Sequence, residues 1–300
     1  MNSFPSLVRR ASGLLILVLL AALSATPRAG AAEIKDPEAL CVMTFNLRYA
    51  SDRAPNAWPQ RRPVMKDCVK EVGPDLIGTQ EGLYPQLKDF AADHPEYDWI
   101  GLGREGGSKG EFMAIFYRKD RFEPLEFDHF WLSDTPAVIS SSTWGNSNRR
   151  MVTWARFLDR KTDKQFYFFN THLDHEIQDA RFKGATLIRQ RIEGLNTTLP
   201  VILAGDFNAK AGGNPAYDVL VNDTCMSDTW TKAAERRGEV VYTFHNFRGP
   251  TAGDNRIDWI LSRGPVQCLA SQIITCGKDG QYPSDHFPVV AWVKLGAPSP

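Results

Sequence analysis

Apolar residues in this chain fall mostly in short uninterrupted runs, with a few longer stretches at helical spacing. The clearest run is Val201-Ile202-Leu203-Ala204. Nothing polar interrupts it, so it predicts a strand buried on both faces, which then enters Gly205-Asp206-Phe207-Asn208. Cys41 to Tyr49, Asp75 to Gln80, Tyr97 to Gly101, Phe112 to Tyr117 and Phe122 to Leu132 read as further strands. Met151 to Asp159 and Gln165 to His172 read as a hairpin pair. Arg256 to Leu261, Gln267 to Thr275 and Phe287 to Val293 complete the set.

Helical spacing predicts the layers between them. Pro59 stands near the start of one helix, where its missing N–H does no harm. Val64, Met65, Cys68, Val69 and Val72 form that helix's apolar face, and Gly73-Pro74 ends it. Leu83 to Ala92 is a shorter helix. In Ile177 to Leu195, Ile177, Ala180, Gly184, Ile188, Ile192 and Leu195 share one face. Two sheets packed face to face, with helices outside, accommodate this order.

The strands share a second pattern: six strand-like segments carry Asn, Asp, Glu or His at or near one end. These are Asn46, Glu81, His172, Asp206 with Asn208, Asp258, and Asp285 with His286. Asp206 and Asn208 lie two positions apart and leave an extended strand on the same side. A carboxylate at a buried strand end costs free energy, and a metal or a catalytic role is the usual reason for it. An Asx-turn around Asp206 and Asn208 is the plain alternative. Gly205 permits either a tight turn or close approach of a ligand. Solvated charge explains one or two such ends well, but six poorly.

Taken in order, Asn46, Thr79-Gln80-Glu81, Thr171-His172, Gly205-Asp206-Phe207-Asn208, Arg256-Ile257-Asp258 and Ser284-Asp285-His286 resemble a known motif series. It is that of the endonuclease/exonuclease/phosphatase superfamily, the DNase I-like metal-dependent phosphodiesterases and phosphatases. The resemblance implies an α/β fold: a four-layer α/β/β/α sandwich of two packed mixed sheets flanked by helices. Strand ends of both sheets would then meet at one edge.

The activity so implied is hydrolysis of a phosphate ester by metal-assisted attack of water. Oxygen charge must be neutralised, the water activated and the leaving oxygen stabilised. Hard oxygen ligands select Mg2+ or Mn2+, with Glu81, Asn46 and Asp285 as expected ligands. Asp206 is expected to orient and deprotonate the water, and Asn208 to hydrogen-bond a phosphate oxygen. His286 would contact the phosphoryl oxygens, with Asp258 on its other ring nitrogen fixing the tautomer and favouring the imidazolium. His172 would approach from the opposite side. For either histidine the competing reading is a hydrogen-bonded core residue. Asp206 and His286 are expected at strand ends open to solvent.

Arg150 is the preferred phosphate contact, because it opens a strand that should end near the site. Arg48, Arg61, Arg62 and Arg149 read equally as phosphate contacts or surface charge. Asp174 and His175 read as site residues or as a helix cap. His129 and His245 have no motif around them. Trp58, Trp144 and Phe247 read as groove lining or as core. Gly103 to Gly110 predicts a mobile loop, and it lacks the strand–turn–helix setting of a phosphate cradle.

Composition narrows the class. Arg9 and Arg10, the apolar run Leu14 to Leu20 and Ala29-Gly30-Ala31 form a secretory-signal pattern, with cleavage expected after Ala31 and the mature chain secreted or periplasmic. An uncleaved anchor is the alternative, but Ala11 to Ala25 falls short of the ~20 residues of a spanning helix. The 300-residue chain carries 35 basic and 35 acidic residues, and the signal segment holds three arginines and no acid, which leaves a net charge of −3. That balance gives no general attraction to nucleic acid, although a local basic patch would escape it. Residues 32–300 read as one domain acting as a monomer, with no integral membrane partner and with a frayed tail at 296–300.

Cys41, Cys68, Cys225, Cys268 and Cys276 are an odd set. Export permits disulfides, and Cys41 and Cys68 read as buried thiols. The substrate stays open among nucleic acid, nucleotide, inositol phosphate and phospholipid head group. The Trp-Cys-Asp-Arg signature of inositol-polyphosphate phosphatases is absent, and no long exposed apolar hairpin of the sphingomyelinase kind is evident. A fold-retaining, inactive binding module and a phospholipid or sphingomyelin phosphodiesterase are the alternatives. The intact acids, amide and histidines oppose the binding module.

Overall fold

The computed structural model describes Met1, Ile34, residues 36–223 and residues 226–297. The signal segment after Met1, Cys225 and the last three residues of the tail lie outside the described residues. In chain order come β1 (Leu40–Asn46), α1 (Trp58–Val72), β2 (Leu76–Gln80), β3 (Gly82–Leu83), α2 (Tyr84–Asp93), β4 (Tyr97–Ile100) and β5 (Glu111–Phe112). β6 (Ile115–Arg118), β7 (Phe122–Trp131), β8 (Met151–Asp159), β9 (Lys164–His172), α3 (Gln178–Glu193) and β10 (Val201–Asp206) follow. β11 (Ser227–Asp228), β12 (Glu235–Arg237), β13 (Asp258–Arg263), β14 (Val266–Ile273) and β15 (Val289–Leu295) end the series.

Two mixed sheets form. One runs β12-β14-β15-β1-β2-β6-β4 and the other β11-β13-β10-β9-β8-β7. They pack face to face, with β1 against β10 and β2 against β9. Val42, Leu76, Phe166, Phe168, Ile202 and Val289 belong to the apolar layer between them. Met65, Cys68 and Val69 of α1 and Phe90 of α2 cover the outer face of the first sheet. Ala185, Ile188 and Ile192 of α3 cover the second. The result is the four-layer sandwich that the motif order implies.

Register explains where the polar ends go. β1 and β2 are parallel, with Asn46 beside Gln80 at their C-terminal ends. β9 and β10 are parallel, with His172 beside Asp206. β13 runs antiparallel to β10 and sets Asp258 beside Asp206, and β15 runs antiparallel to β1, so Asp285 and His286 precede it at the same edge. Asn170 ties the sheets together: it accepts from Gln80 Nε2 at 2.8 Å and donates to the carbonyls of Thr79 and Ala114 at 2.8 and 2.9 Å. Gly205 serves strand packing, because a Cβ there would lie 2.4 Å from the Thr171 carbonyl oxygen.

Several boundaries differ from those expected. β1 stops at Asn46 instead of Tyr49, and Arg48 takes a positive φ of 52°. Phe112 to Tyr117 is two strands: Glu111–Phe112 pairs with Gly82–Leu83 in a separate two-stranded sheet, and Ile115–Arg118 joins the large one. Cys68 is not a free thiol. It is bonded to Cys276, 208 residues away, where the chain after β14 returns under α1. Cys41 and Cys268 are free and buried. No described helix is long and apolar enough to cross a membrane.

Candidate active site

Asp206 occupies the centre of this sheet edge. The turn after β10 places Asn208 at φ 48°, and its backbone N–H donates to Asp206 Oδ1 at 2.9 Å. That is the Asx-turn considered as the plain alternative, and it employs only one oxygen. Oδ2 accepts from Asn46 Nδ2 at 2.9 Å and faces His172 Nε2 at 3.5 Å and His286 Nε2 at 3.7 Å. Contrary to the expectation of solvent-open strand ends, Asp206 is 1% and His286 4% exposed. The Ser284 hydroxyl explains part of this, because it donates to the Asn46 carbonyl at 2.6 Å and closes the β1–β15 edge.

Burial and neighbours set the charge states. Burial first, then the Asp258 carboxylate, pushes Asp206 up to about 7. Burial alone would depress His286, but Asp258 and Asp206 overcome it and push the imidazole up to about 10. Asp258 Oδ2 accepts from His286 Nδ1 at 3.0 Å, so the second ring nitrogen points at Asp206. His172 behaves oppositely. Burial and the nearby Arg150 hold it well below the usual imidazole range, so it is neutral. Asn208 Nδ2 donates to its Nε2 at 2.9 Å, which puts the ring proton on Nδ1. Asn208 also donates to the Leu173 carbonyl at 3.1 Å, so its amide is committed to protein and orients His172.

Glu81 follows β2 in the left-handed region at φ 62°, an uncommon conformation that costs about 1–3 kcal/mol and recurs at functional sites. Its Oε1 accepts from Asn46 Nδ2 at 3.0 Å. Arg48 lies between Glu81 and Asp285, at 3.8 and 3.6 Å. Burial and the Glu81 charge push Asp285 up from the usual carboxylate range. Crowded hard oxygens of this kind suit a divalent cation. Among the described residues, Glu81, His172 and Asp206 each offer a ligand atom within 4.8 Å of the others, as do Asp206, Asp258 and His286. Asp285 belongs to neither group.

Glu81, His172, Asp206, Asn208, Asp285 and His286, with Arg48, line a cleft of about 270 Å³, whereas Asn46 and Asp258 support it without lining it. Arg150 is also there, 4% exposed, with Nη2 on His175 Nδ1 at 2.9 Å and Nε 3.7 Å from Asp174. Its Nε and Nη1 have no hydrogen-bond partner among the described residues. Asp174 acts as a cap as well, accepting from the N–H groups of Glu176 and Ile177 at 2.9 and 2.7 Å.

Other candidates are placed elsewhere. Arg61 is neither surface charge nor phosphate contact: it is fully buried and donates to the carbonyls of Asn56, Leu47, Arg48, Tyr49 and Pro283. Arg62 pairs with Asp89 and Asp93, and Arg149 bonds the Ser140 carbonyl. Trp58 and Trp144 donate to Asp89 and Asp134, and neither they nor Phe247 line the cleft. Sequence reasoning missed Arg104, Glu111, Asn148 and Phe244, which do line it. Arg104 comes from the glycine-rich loop, which is folded back on itself by bonds such as Arg104 N–H to the Glu111 carbonyl at 2.9 Å.

Comparisons agree with this fold. Residues 43–286 match the model of the Endonuclease/Exonuclease/phosphatase family. A family protein from Bacteroides vulgatus superposes with a TM-score of 0.81 at 34% identity, covering 86% of this chain and 99% of that one. A mannosyl-6-phosphatase from Bacteroides thetaiotaomicron superposes at 0.80 and 35% identity, covering 86% and 100%. An uncharacterised protein of Acanthamoeba polyphaga mimivirus is 28% identical over 187 residues, 59% of this chain and 66% of its own length.

Proposed function

The chain belongs to the endonuclease/exonuclease/phosphatase family, and from that premise we propose that it hydrolyses the phosphate monoester of a small sugar. The observation that carries the catalytic part is the placement of Asp206 Oδ2 between two histidines, one charged and one neutral. A carboxylate near 7 is matched to proton transfer at neutral pH, so Asp206 takes the proton of the attacking water. His286, held as an imidazolium by Asp258, donates to a phosphoryl oxygen and stabilises charge that grows in the transition state. Neutral His172, oriented by Asn208, faces the same centre from the other side. Arg150 also lines the cleft, and its cationic charge suits further phosphate oxygens.

The residues fit a divalent metal: Glu81 would hold it, with Asn46 and Asp285 beside it. When bound, Mg2+ or Mn2+ supplies positive charge to the phosphate oxygens and lowers the pKa of water. The likeness to a mannosyl-6-phosphatase supports a sugar phosphate as substrate. The cleft supports a small substrate too, since 270 Å³ is just under the ~300–1,000 Å³ usual for small-ligand pockets. The signal pattern at residues 1–31 supports export, and the mature chain is proposed to work as a monomer. The test is a panel of sugar phosphates, nucleotides, inositol phosphates, phospholipids, RNA and plasmid DNA, with Mg2+, Mn2+ or EDTA. Metal-dependent release of inorganic phosphate from sugar phosphates is expected. Preferential cleavage of an internal diester bond in nucleic acid would refute the monoester reading.

A further inference from the structure

We propose that Arg104, Glu111 and Asn148 form a subsite that reads the hydroxyl groups of the leaving sugar, beside the phosphate position. This rests on the sugar-phosphate reading. The three come from separate segments and are joined by the arginine. Arg104 Nη1 donates to Glu111 Oε2 at 2.6 Å and Nη2 to Asn148 Oδ1 at 3.1 Å. Arg104 and Glu111 are 11% and 16% exposed, so the pair is fixed by packing as well as by charge. Pairing of Gly82–Leu83 with Glu111–Phe112 sets Glu111 directly beside the strand that follows Glu81. The subsite therefore adjoins the catalytic centre without belonging to it.

Its hydrogen-bonding character selects the ligand. The charge of Arg104 is already met by Glu111, so the unit is close to neutral. A phosphate dianion placed there would be opposed by the Glu111 carboxylate. Bonds left unmade are of both kinds: Glu111 Oε1 can accept and Asn148 Nδ2 can donate. A hydroxyl group both donates and accepts, and neighbouring hydroxyls on a sugar ring present that alternation. Polar groups that a ligand must satisfy also discriminate strongly, because an analogue without the hydroxyl leaves them unpaired. Arg150 lines the same cleft and feels the charges of Glu111 and Arg104 as well as that of Asp206, so its cation links this wall to the phosphate position.

The test compares hexose 6-phosphates with p-nitrophenyl phosphate, whose leaving group has no sugar hydroxyls. For Glu111→Gln and Asn148→Ala, kcat/KM on the hexose phosphate should fall by ~10–100-fold, mainly through KM, as loss of charge-assisted bonds implies. The loss on p-nitrophenyl phosphate should be several-fold smaller. Equal losses on both substrates would overturn the subsite. Asn148→Ala leaves the Arg104–Glu111 pair intact, so it decides the matter if Glu111→Gln unfolds in a thermal scan. Calorimetric binding of glucose 6-phosphate and mannose 6-phosphate separates the two readings. Binding weakened by both substitutions, in a protein that cleaves no monoester, would refute the sugar phosphatase and uphold the subsite. Binding indifferent to both substitutions would refute the subsite even in an active phosphatase.

Discussion

Replacing Asp206 with Asn should stabilise the metal-stripped protein at neutral pH relative to acid pH. In the folded state Asp206 titrates at about 7, against 3.8 for an unhindered carboxyl. Between these values the native chain binds the proton and the unfolded chain has lost it. Stability therefore falls as pH rises through that window. About three pKa units at 1.36 kcal/mol each give about 4 kcal/mol at the limit. His286 shares the charge, so ~2–4 kcal/mol is expected. The substitution has a fixed cost too: one of the two oxygens that accept from Asn208 N–H and Asn46 Nδ2 becomes an NH2 group. That costs ~1–3 kcal/mol and does not depend on pH. Urea unfolding in EDTA at pH 4.5 and pH 8 isolates the titrating part. The variant should gain ~2–4 kcal/mol on wild type between the two pH values. A difference constant with pH would refute the claim that folding holds Asp206 against its ionisation. Saturating Mg2+ should shrink the gap, because a cation that binds the ionised site stabilises only the wild type appreciably.

Other consequences can be measured directly. Hydrolysis should stop after exhaustive EDTA treatment and return with Mg2+ or Mn2+, and calorimetry should find Glu81→Gln more damaging to metal affinity than Asn208→Ala. Asp258→Asn should keep the contact to His286 Nδ1 but remove its counter-charge, so the alkaline limb of the kcat/KM profile should move to lower pH. His286 is raised to about 10, so its contribution to stability is complete below its unfolded value near 6.5 and is lost as pH rises toward about 10. Asp159→Asn should lower stability by ~1–2 kcal/mol in chemical unfolding, because it removes the charge that meets Arg121 at 3.0 and 2.9 Å, while Arg121 keeps Asp75 at 3.0 Å. Burial raises Asp159, but the Arg121 bonds and charge, the Lys161 N–H and the Thr162 hydroxyl together depress it, so its contribution is present above pH ~4 and lost in more acid solution. Exported protein should begin near Ala32 by mass spectrometry.

Much of the fold and half of the cleft were legible in the sequence for one reason. A strand buried on both faces is a continuous apolar run, so a polar residue at its end stands out. Asn46, Glu81, His172, Asp206, Asp258 and His286 were all found this way, and the parallel register of β1 with β2 and of β9 with β10 brings them to one edge. Glu111 carries the same kind of side chain but lies in a two-residue strand, too short to show a period. Arg104 and Asn148 lie in irregular segments, where no spacing marks which residue turns inward. Cys68 looked like a core residue because a disulfide half-cystine and a buried thiol occupy the same apolar helical face; only the return of the chain at Cys276 separates them.

Arg61 shows why charge alone misled. On α1 it sits one residue from Arg62, and sequence gives both the same reading. In space Arg62 points outward to Asp89 and Asp93, whereas Arg61 turns under the site and donates to five carbonyls. Four of those carbonyls belong to the turn after Asn46 and to Pro283, just before Ser284-Asp285-His286. Burial lowers Arg61 from the usual guanidinium range to about 10, which leaves it charged at neutral pH. A buried guanidinium has a large desolvation penalty, and five carbonyl acceptors offset it while fixing two loops against each other. The segments that carry Asn46 and Asp285-His286 therefore rest on a cation that does not line the cleft, and the helix that carries it is held to the chain after β14 by the Cys68–Cys276 bond.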